Sequence, residues 1–236
     1  MTGKNKILTA LGTCFFACLC FLILFPVLAG FLASFRPGRE LIRRGLSINT
    51  DFSAMTLDNY KYLFSWNTDS QKYFMWFKNS MVLTFFAVVL TLLICYFVAY
   101  GLTMYEYRLK NLLFFLVIAT MMVPFEILML PLYQEMIDLS LINTTAGVLL
   151  PGPAFAAMAI LCAMGAWNNM LWPMLVYRDA AKFTLPIGLN TLLTPYGNNY
   201  DLLIAGSMFA IFPVLIVFLC FQKYFIEGMT VGAVKG

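Results

Sequence analysis

The chain has 236 residues, 62% of them hydrophobic and only 11% charged, where a soluble domain carries about 25% charged residues. That composition excludes a soluble monomer, and the absence of histidine removes the commonest metal ligand and the commonest general base near neutral pH. The formal charge of +4 then bears on membrane topology and lipid headgroups, not on nucleic acid.

The expected class is an all-α integral membrane protein, one transmembrane domain over residues 1–236 with short loops. Residues 7–35 form the first apolar run, preceded by Lys4 and Lys6. It is too long for a signal-peptide core of about 7–15 residues, so it reads as an uncleaved span that Pro26 should kink. Residues 36–78 are the main polar stretch, opening with Arg36, Arg39, Arg43 and Arg44. Tyr60, Tyr62, Trp66, Tyr73 and Trp76 place aromatic rings where an interfacial belt would lie. Short amphipathic helices along the membrane surface are expected there.

A second span is predicted from about Asn79 to Met104, followed by the basic turn YEYRLKN. A third is predicted from about Leu112 to Leu132, interrupted by Pro124 and Pro131. Between Leu139 and Tyr177 there is no charged residue. This stretch approaches the roughly 40 residues two spans need, yet its only turn signal, Pro151-Gly152-Pro153, is off centre. After a polar loop, a last span is predicted from about Leu202 to Phe221. About five spans result. The positive-inside rule, counted naively, places the N-terminus outside, because residues 36–78 carry more Lys and Arg than the N-terminus and the YEYRLKN turn together.

The chemistry of known enzymes is missing. There is no Gly-x-x-x-x-Gly-Lys phosphate loop, no Gly-x-Ser-x-Gly elbow and no His-Glu-x-x-His. The six cysteines, Cys14, Cys18, Cys20, Cys95, Cys162 and Cys220, lie in apolar runs and form no paired Cys-x-x-Cys, so they read as small buried hydrophobes. No cofactor or metal is implied.

Polar groups inside apolar runs are the informative ones. Glu126 in MMVPFEILMLPLY is a functional candidate, since a carboxylate in a membrane is costly. It could equally sit at a span end, meeting water or a backbone N–H freed by Pro124. Asn168 and Asn169, between Trp167 and Trp172, either line a polar path or mark an aromatic interface.

Several segments together are similar to one family. TLDNYKYLF, YEYRLKN, MMVPFEILMLPLYQEMIDLSLINTTAGVLLP, GAWNNMLWPMLVYRDAAKFTLPIGLNTL and FIEGMTVGAVKG resemble, in order, parts of the membrane permease subunit of binding-protein-dependent carbohydrate (maltose-type) ABC importers. The resemblance covers nearly the whole chain. It implies six spans with both termini in the cytoplasm, against the naive charge count. It implies a homologous permease partner, ABC ATPase subunits and an extracytoplasmic solute-binding protein, besides membrane lipid, with no nucleic acid. ATP hydrolysis would belong to the separate ATPase. Glu126, Trp167, Asn168, Asn169 and Trp172 become candidates for the substrate path. Gly228, Thr230, Gly232 and Lys235 in the small, flexible-looking tail become candidates for ATPase contact.

One departure from the family is large. The cytoplasmic loop with a Glu-Ala-Ala…Gly motif, between the fourth and fifth spans, is absent, and LINTTAGVLLP passes directly to GPAFAAMAILCAMGAWNN. Roughly 45–55 residues would be missing near residue 151, two half-spans at about 20 residues per span plus a loop. A single fused span would change the chain's parity. A short re-entering half-helix over 139–150, broken at Pro151-Gly152-Pro153, would not. The competing classes are a stand-alone secondary transporter or channel and a non-functional permease remnant.

Overall fold

The computed structural model describes residues 3–44, 55–65, 68–121, 124–151, 159–194 and 197–233. Its elements in chain order are α1 (Gly3–Ala33), α2 (Gly38–Arg44), α3 (Asp58–Phe64), α4 (Thr68–Met104), α5 (Lys110–Met121), α6 (Phe125–Asp138), α7 (Thr145–Leu149), α8 (Ala159–Asn168), α9 (Leu171–Val176), a single 3-10 turn (Ala180–Lys182), α10 (Leu185–Asn190), β1 (Leu193–Thr194), β2 (Gly197–Asn198) and α11 (Tyr200–Ala233). The fold is all-α apart from the β1–β2 ribbon, which pairs Leu193 with Asn198 and Thr194 with Gly197. The chain divides into two compact units, residues 1–70 with 192–236 and residues 71–191.

In the first unit, α1 and α11 pack together. A Cβ on Gly30 would lie 3.0 Å from Met208 Cε, and one on Gly38 would lie 3.1 Å from the Asp201 carboxylate. The turn that follows α1 has buried carbonyls that need partners. Asn59 supplies them: its buried Nδ2 donates to Ser34 O at 2.9 Å and Arg36 O at 2.8 Å. Ser34 Oγ and Tyr60 OH share a 2.7 Å hydrogen bond, and the rings of Phe35, Tyr60, Phe64 and Phe209 continue the contact from α1 through α3 to α11. The short helices α2 and α3 occupy the expected polar stretch. Residues 68–78 differ from expectation, because they open α4 and are continuous with the second span.

The second unit contains α4 beyond its first turn and α5 to α10. The buried face of α4 repeats at helical spacing through Tyr73, Trp76, Ser80, Leu83, Ala87 and Thr91, positions three or four apart that share one face. The predicted third span is divided: α5 stops at Met121 and α6 starts at Phe125, with Pro124 as its N-cap. A proline fixes φ and disfavours helix in the residue before it, so the break falls where the sequence places it. Pro131 stays inside α6.

Three described helices, over Thr9–Ala33, Lys72–Met104 and Tyr200–Gln222, are long and apolar enough to cross a membrane. The described part of 139–177 supplies helices of 5, 10 and 6 residues. The five expected spans are therefore not five uninterrupted helices among the described residues. Gly152 and Pro153 lie outside those residues, as does Trp66. The expected polar loop after Tyr177 is folded instead: Thr184, Leu185, Ile187 and Leu189 are buried. The tail also departs from expectation, because α11 continues as helix to Ala233.

Candidate functional site

The polar candidates of the second unit gather around the start of α6 and the junction of α8 with α9. Trp172, 2% exposed, is the second residue of α9 and donates its indole N–H to Gly147 O at 3.2 Å. A buried indole N–H left unpaired would be costly, so this bond fixes the ring's orientation. Phe125, the first residue of α6, meets the Trp172 ring edge-on at 5.9 Å. Met136 and Val176 complete the buried cluster, with Met129, Leu132, Leu141 and Val148 packed against it.

Asn169 is half-buried and accepts a hydrogen bond from Trp172 N at 3.4 Å through Oδ1, so its side chain serves the start of α9. Asn168 closes α8 and is exposed. Trp167, 6% exposed, packs edge-on against Phe77 at 5.6 Å. Glu126 is exposed in the first turn of α6, where the unpaired N–H groups and the helix dipole favour a carboxylate. Phe125 next to Glu126, and Trp172 bonded to Asn169, bring these candidates to one aromatic contact. Both tryptophans are enclosed by their own unit. Glu126 and Asn168 are the candidates with polar atoms free to meet a solute, and carboxylate and amide groups can each hydrogen-bond a hydroxyl.

A second set of contacts grips the segment between α9 and α10. From α4, Trp76 Nε1 donates to Ala180 O at 3.2 Å. Asn79 Nδ2 donates to Ala181 O at 2.9 Å and Phe183 O at 3.0 Å, and Ser80 Oγ accepts from Leu185 N at 2.7 Å. Gly188 lies directly against the Trp76 ring, with no room for a Cβ. From the other side, Asn143 N donates to Val176 O at 2.8 Å, while its Oδ1 and O accept from Arg178 N at 3.3 Å and Lys182 Nζ at 2.6 Å. Arg178 also reaches Tyr133 OH at 3.0 Å.

Asn79 and Asn143 do this positioning work, Asn59 does the same after α1, and none of them stood out in the local sequence. An asparagine at the mouth of an apolar helix is the signal that could have found Asn79. For Asn143 it is an Asn beside Thr-Thr after a polar turn, since Asn tolerates the left-handed backbone that it adopts at φ 59°. Gly228, Thr230 and Gly232 lie on the last turns of α11, and Lys235 is outside the described residues. Among the described residues, no three His, Cys, Asp or Glu side chains are grouped to hold a metal.

Long apolar helices define a multi-pass membrane protein, and a solved structure agrees on the fold. A chain from a bacterial ABC transporter that imports the acidic polysaccharide alginate superposes with a TM-score of 0.74, covering 95% of this chain and 99% of that one at 19% identity. No family model matches the chain. The arabinooligosaccharides transport system permease protein AraQ of Halalkalibacterium halodurans is 44% identical over 277 aligned positions, covering 98% of both chains. AraQ of Bacillus subtilis is 43% identical over 269, covering 95% of both. The chain belongs to the permease subunits of sugar ABC transport systems, integral proteins of the cytoplasmic membrane.

Proposed function

We propose that residues 1–236 form one permease domain of an importer that moves a sugar, oligosaccharide or related carbohydrate inward. It would work with a homologous permease, two ABC ATPase subunits that hydrolyse the ATP, and an extracytoplasmic solute-binding protein. The observation that carries this reading is the likeness to AraQ along 98% of both chains. The substrate class follows from the relatives' names, both of which specify arabinooligosaccharides. Glu126 and Asn168 offer the solute hydrogen bonds on this reading, with Asn169, Trp167 and Trp172 holding the junction that presents them. The end of α11, with Gly228, Thr230 and Gly232, contacts the ATPase together with Lys235 further along the sequence.

The chain also lacks the coupling loop. The alignment with AraQ is 277 positions long, 41 more than the chain has residues, so at least that many residues of the relative have no counterpart here. The helices flanking residues 152–158, α7 and α8, are five and ten residues long and each too short to span, which supports placing the gap there. A permease without this loop fails to transmit ATP hydrolysis to its own pathway. The test is copurification followed by an ATPase assay in liposomes. The homologous permease and the ATPase should copurify with the chain, and substrate-loaded binding protein should leave hydrolysis at its basal rate. A chain that purifies alone would remove the importer reading, and strong stimulation would remove the loss of coupling.

A further inference from the structure

We infer that the α4–α5 turn binds the headgroup of an anionic phospholipid, with the Arg108 guanidinium on the phosphate and the rings of Tyr96, Tyr100 and Tyr105 against the lipid below it. The inference goes beyond the importer reading and rests only on the membrane character of the chain. Its first ground is depth, read along one helix. The sequence carries no charge between Lys78 on α4 and Glu106 just past the end of α4. At 1.5 Å per residue they stand about 40 Å apart, close to the roughly 40–45 Å of a bilayer with its headgroup layers. With Lys78 in one headgroup layer, Glu106, Arg108 and Lys110 lie in the other.

The second ground is the set of rings at that end. Tyr96 and Tyr100, one turn apart on α4, stack with centroids 6.2 Å apart, and Tyr105 folds back onto Tyr100 edge-on at 6.1 Å. All three are exposed, whereas Tyr73 and Trp76, near Lys78 at the opposite end, are buried. Tyrosine is favoured at the membrane–water boundary because its ring is apolar and its hydroxyl polar. Tyr96 lies about 15 Å deeper than Glu106 along the helix. An occupant that touches both Arg108 and Tyr96 therefore needs a charged head and an apolar tail. A phospholipid has both, and a water-soluble subunit does not reach that depth.

The third ground is charge. Lys110 Nζ pairs with Glu106 Oε1 at 2.9 Å, so those two charges offset each other. Arg108 is exposed and has no carboxylate within ion-pair distance among the described residues. The turn therefore presents one unbalanced positive charge. A guanidinium holds phosphate oxygens through parallel hydrogen bonds. An anionic headgroup offers that phosphate without the neutralising ammonium of a zwitterionic one.

The test is lipid retention by the purified full chain. Native mass spectrometry compares phosphatidylglycerol with phosphatidylcholine on the parent, on Arg108→Gln and on Lys78→Gln, which removes an equal charge at the end of α4 where the rings are buried. The parent should retain phosphatidylglycerol in preference to phosphatidylcholine. Arg108→Gln should lower the phosphatidylglycerol affinity about fivefold, the factor one basic residue near an anionic surface is worth. Arg108→Lys, which keeps the charge, should lose less, and Lys78→Gln should leave the affinity unchanged. Equal retention of the two lipids by the parent, or equal losses in Arg108→Gln and Lys78→Gln, overturns the site. Displacement of the lipid by inorganic phosphate overturns it in favour of a simple ion site. Loss of ATPase copurification in Arg108→Gln with lipid retention intact overturns it in favour of a protein contact. A parent chain that purifies without an ATPase would refute the importer reading and leave these lipid measurements untouched.

Discussion

The indole N–H of Trp172 and the carbonyl oxygen of Gly147, 3.2 Å apart and buried, tie the two arms of the 139–177 stretch together. Gly147 is required at this point. A Cβ there would meet the backbone carbonyl of Leu141 and lie 3.2 Å from a methyl of Val176. The close approach of α7 to α9 therefore depends on one residue without a side chain and one with a donor at its edge. Trp172→Phe keeps most of the packing and orphans the carbonyl, so it should destabilise the purified chain by about 1 kcal/mol. Trp172→Ala also opens a cavity and should cost roughly 3–5 kcal/mol. Thermal unfolding in detergent measures both, and equal melting temperatures for the two variants would show that the ring packs less tightly than its burial implies.

Gly188 and Trp76 make a second such pair. The glycine backbone rests on the indole face, and a methyl group has nowhere to go, because the Trp76 ring is held by its own bond to Ala180 O. Gly188→Ala should destabilise by about 1–3 kcal/mol, the usual range for overpacking a dense site. Adding Trp76→Leu should recover part of that loss, although Trp76→Leu alone is destabilising. Such non-additivity is what contact between two residues produces. A Gly188→Ala chain as heat-resistant as the parent would contradict the geometry.

Much of this was legible in the sequence, and the failures have physical causes. The long spans could be read because some twenty apolar residues in a row have few alternatives to a membrane. The division of the third span could be read because proline acts locally. The continuation of α4 upstream to Thr68 could not, since KYFMWFKNS carries interfacial aromatics and lysines that suit a surface helix as well as the end of a span. The folded segment after Tyr177 was missed for a different reason. Its order comes from Asn79 and Trp76, about a hundred positions upstream, and local composition carries no trace of such contacts. At the candidate site, Glu126 and the Trp-Asn-Asn group stood out in the sequence as polar residues in apolar runs. That both tryptophans would be enclosed did not, because enclosure depends on Phe77 and Phe125.

Backbone conformation offers a stabilising change. Ser140 follows α6 with φ 56°, and Leu141 N returns to Met136 O at 2.8 Å across it, the arrangement of a helix end closed by a left-handed residue. A side chain in that conformation costs roughly 1–2 kcal/mol, a cost glycine escapes. Ser140→Gly should therefore raise stability by several tenths to about 1 kcal/mol after the added freedom of the unfolded chain is subtracted. Asn143→Gly has a smaller backbone benefit at φ 59°, because Asn tolerates that conformation, and it loses the Oδ1 bond from Arg178 N, so it should gain less or nothing. Denaturation curves of the two variants side by side decide this, and a larger gain at 143 than at 140 would mean the Arg178 bond contributes little.

The final prediction concerns coupling. In the proposed reading, what the chain lacks is a segment, and the rest of the second unit is intact around the gap. α7 is capped by Thr144, whose hydroxyl accepts from Gly147 N at 3.1 Å, and α8 ends on the Trp167–Phe77 contact. Both arms are anchored at the end away from residue 151, so added chain can extend them without disturbing the anchors. Inserting the unmatched segment of AraQ between Leu150 and Ala159, in place of residues 151–158, should lengthen α7 and α8 into full crossings and place a loop at the end of the unit that holds the α4–α5 turn. A reporter fused within the inserted loop reads its side directly. The complex should then gain substrate-stimulated ATP hydrolysis that the parent chain lacks. Stimulation in the parent equal to that in the chimera would show that the power stroke reaches this subunit by another surface, with the α4–α5 turn and the end of α11 the first places to look.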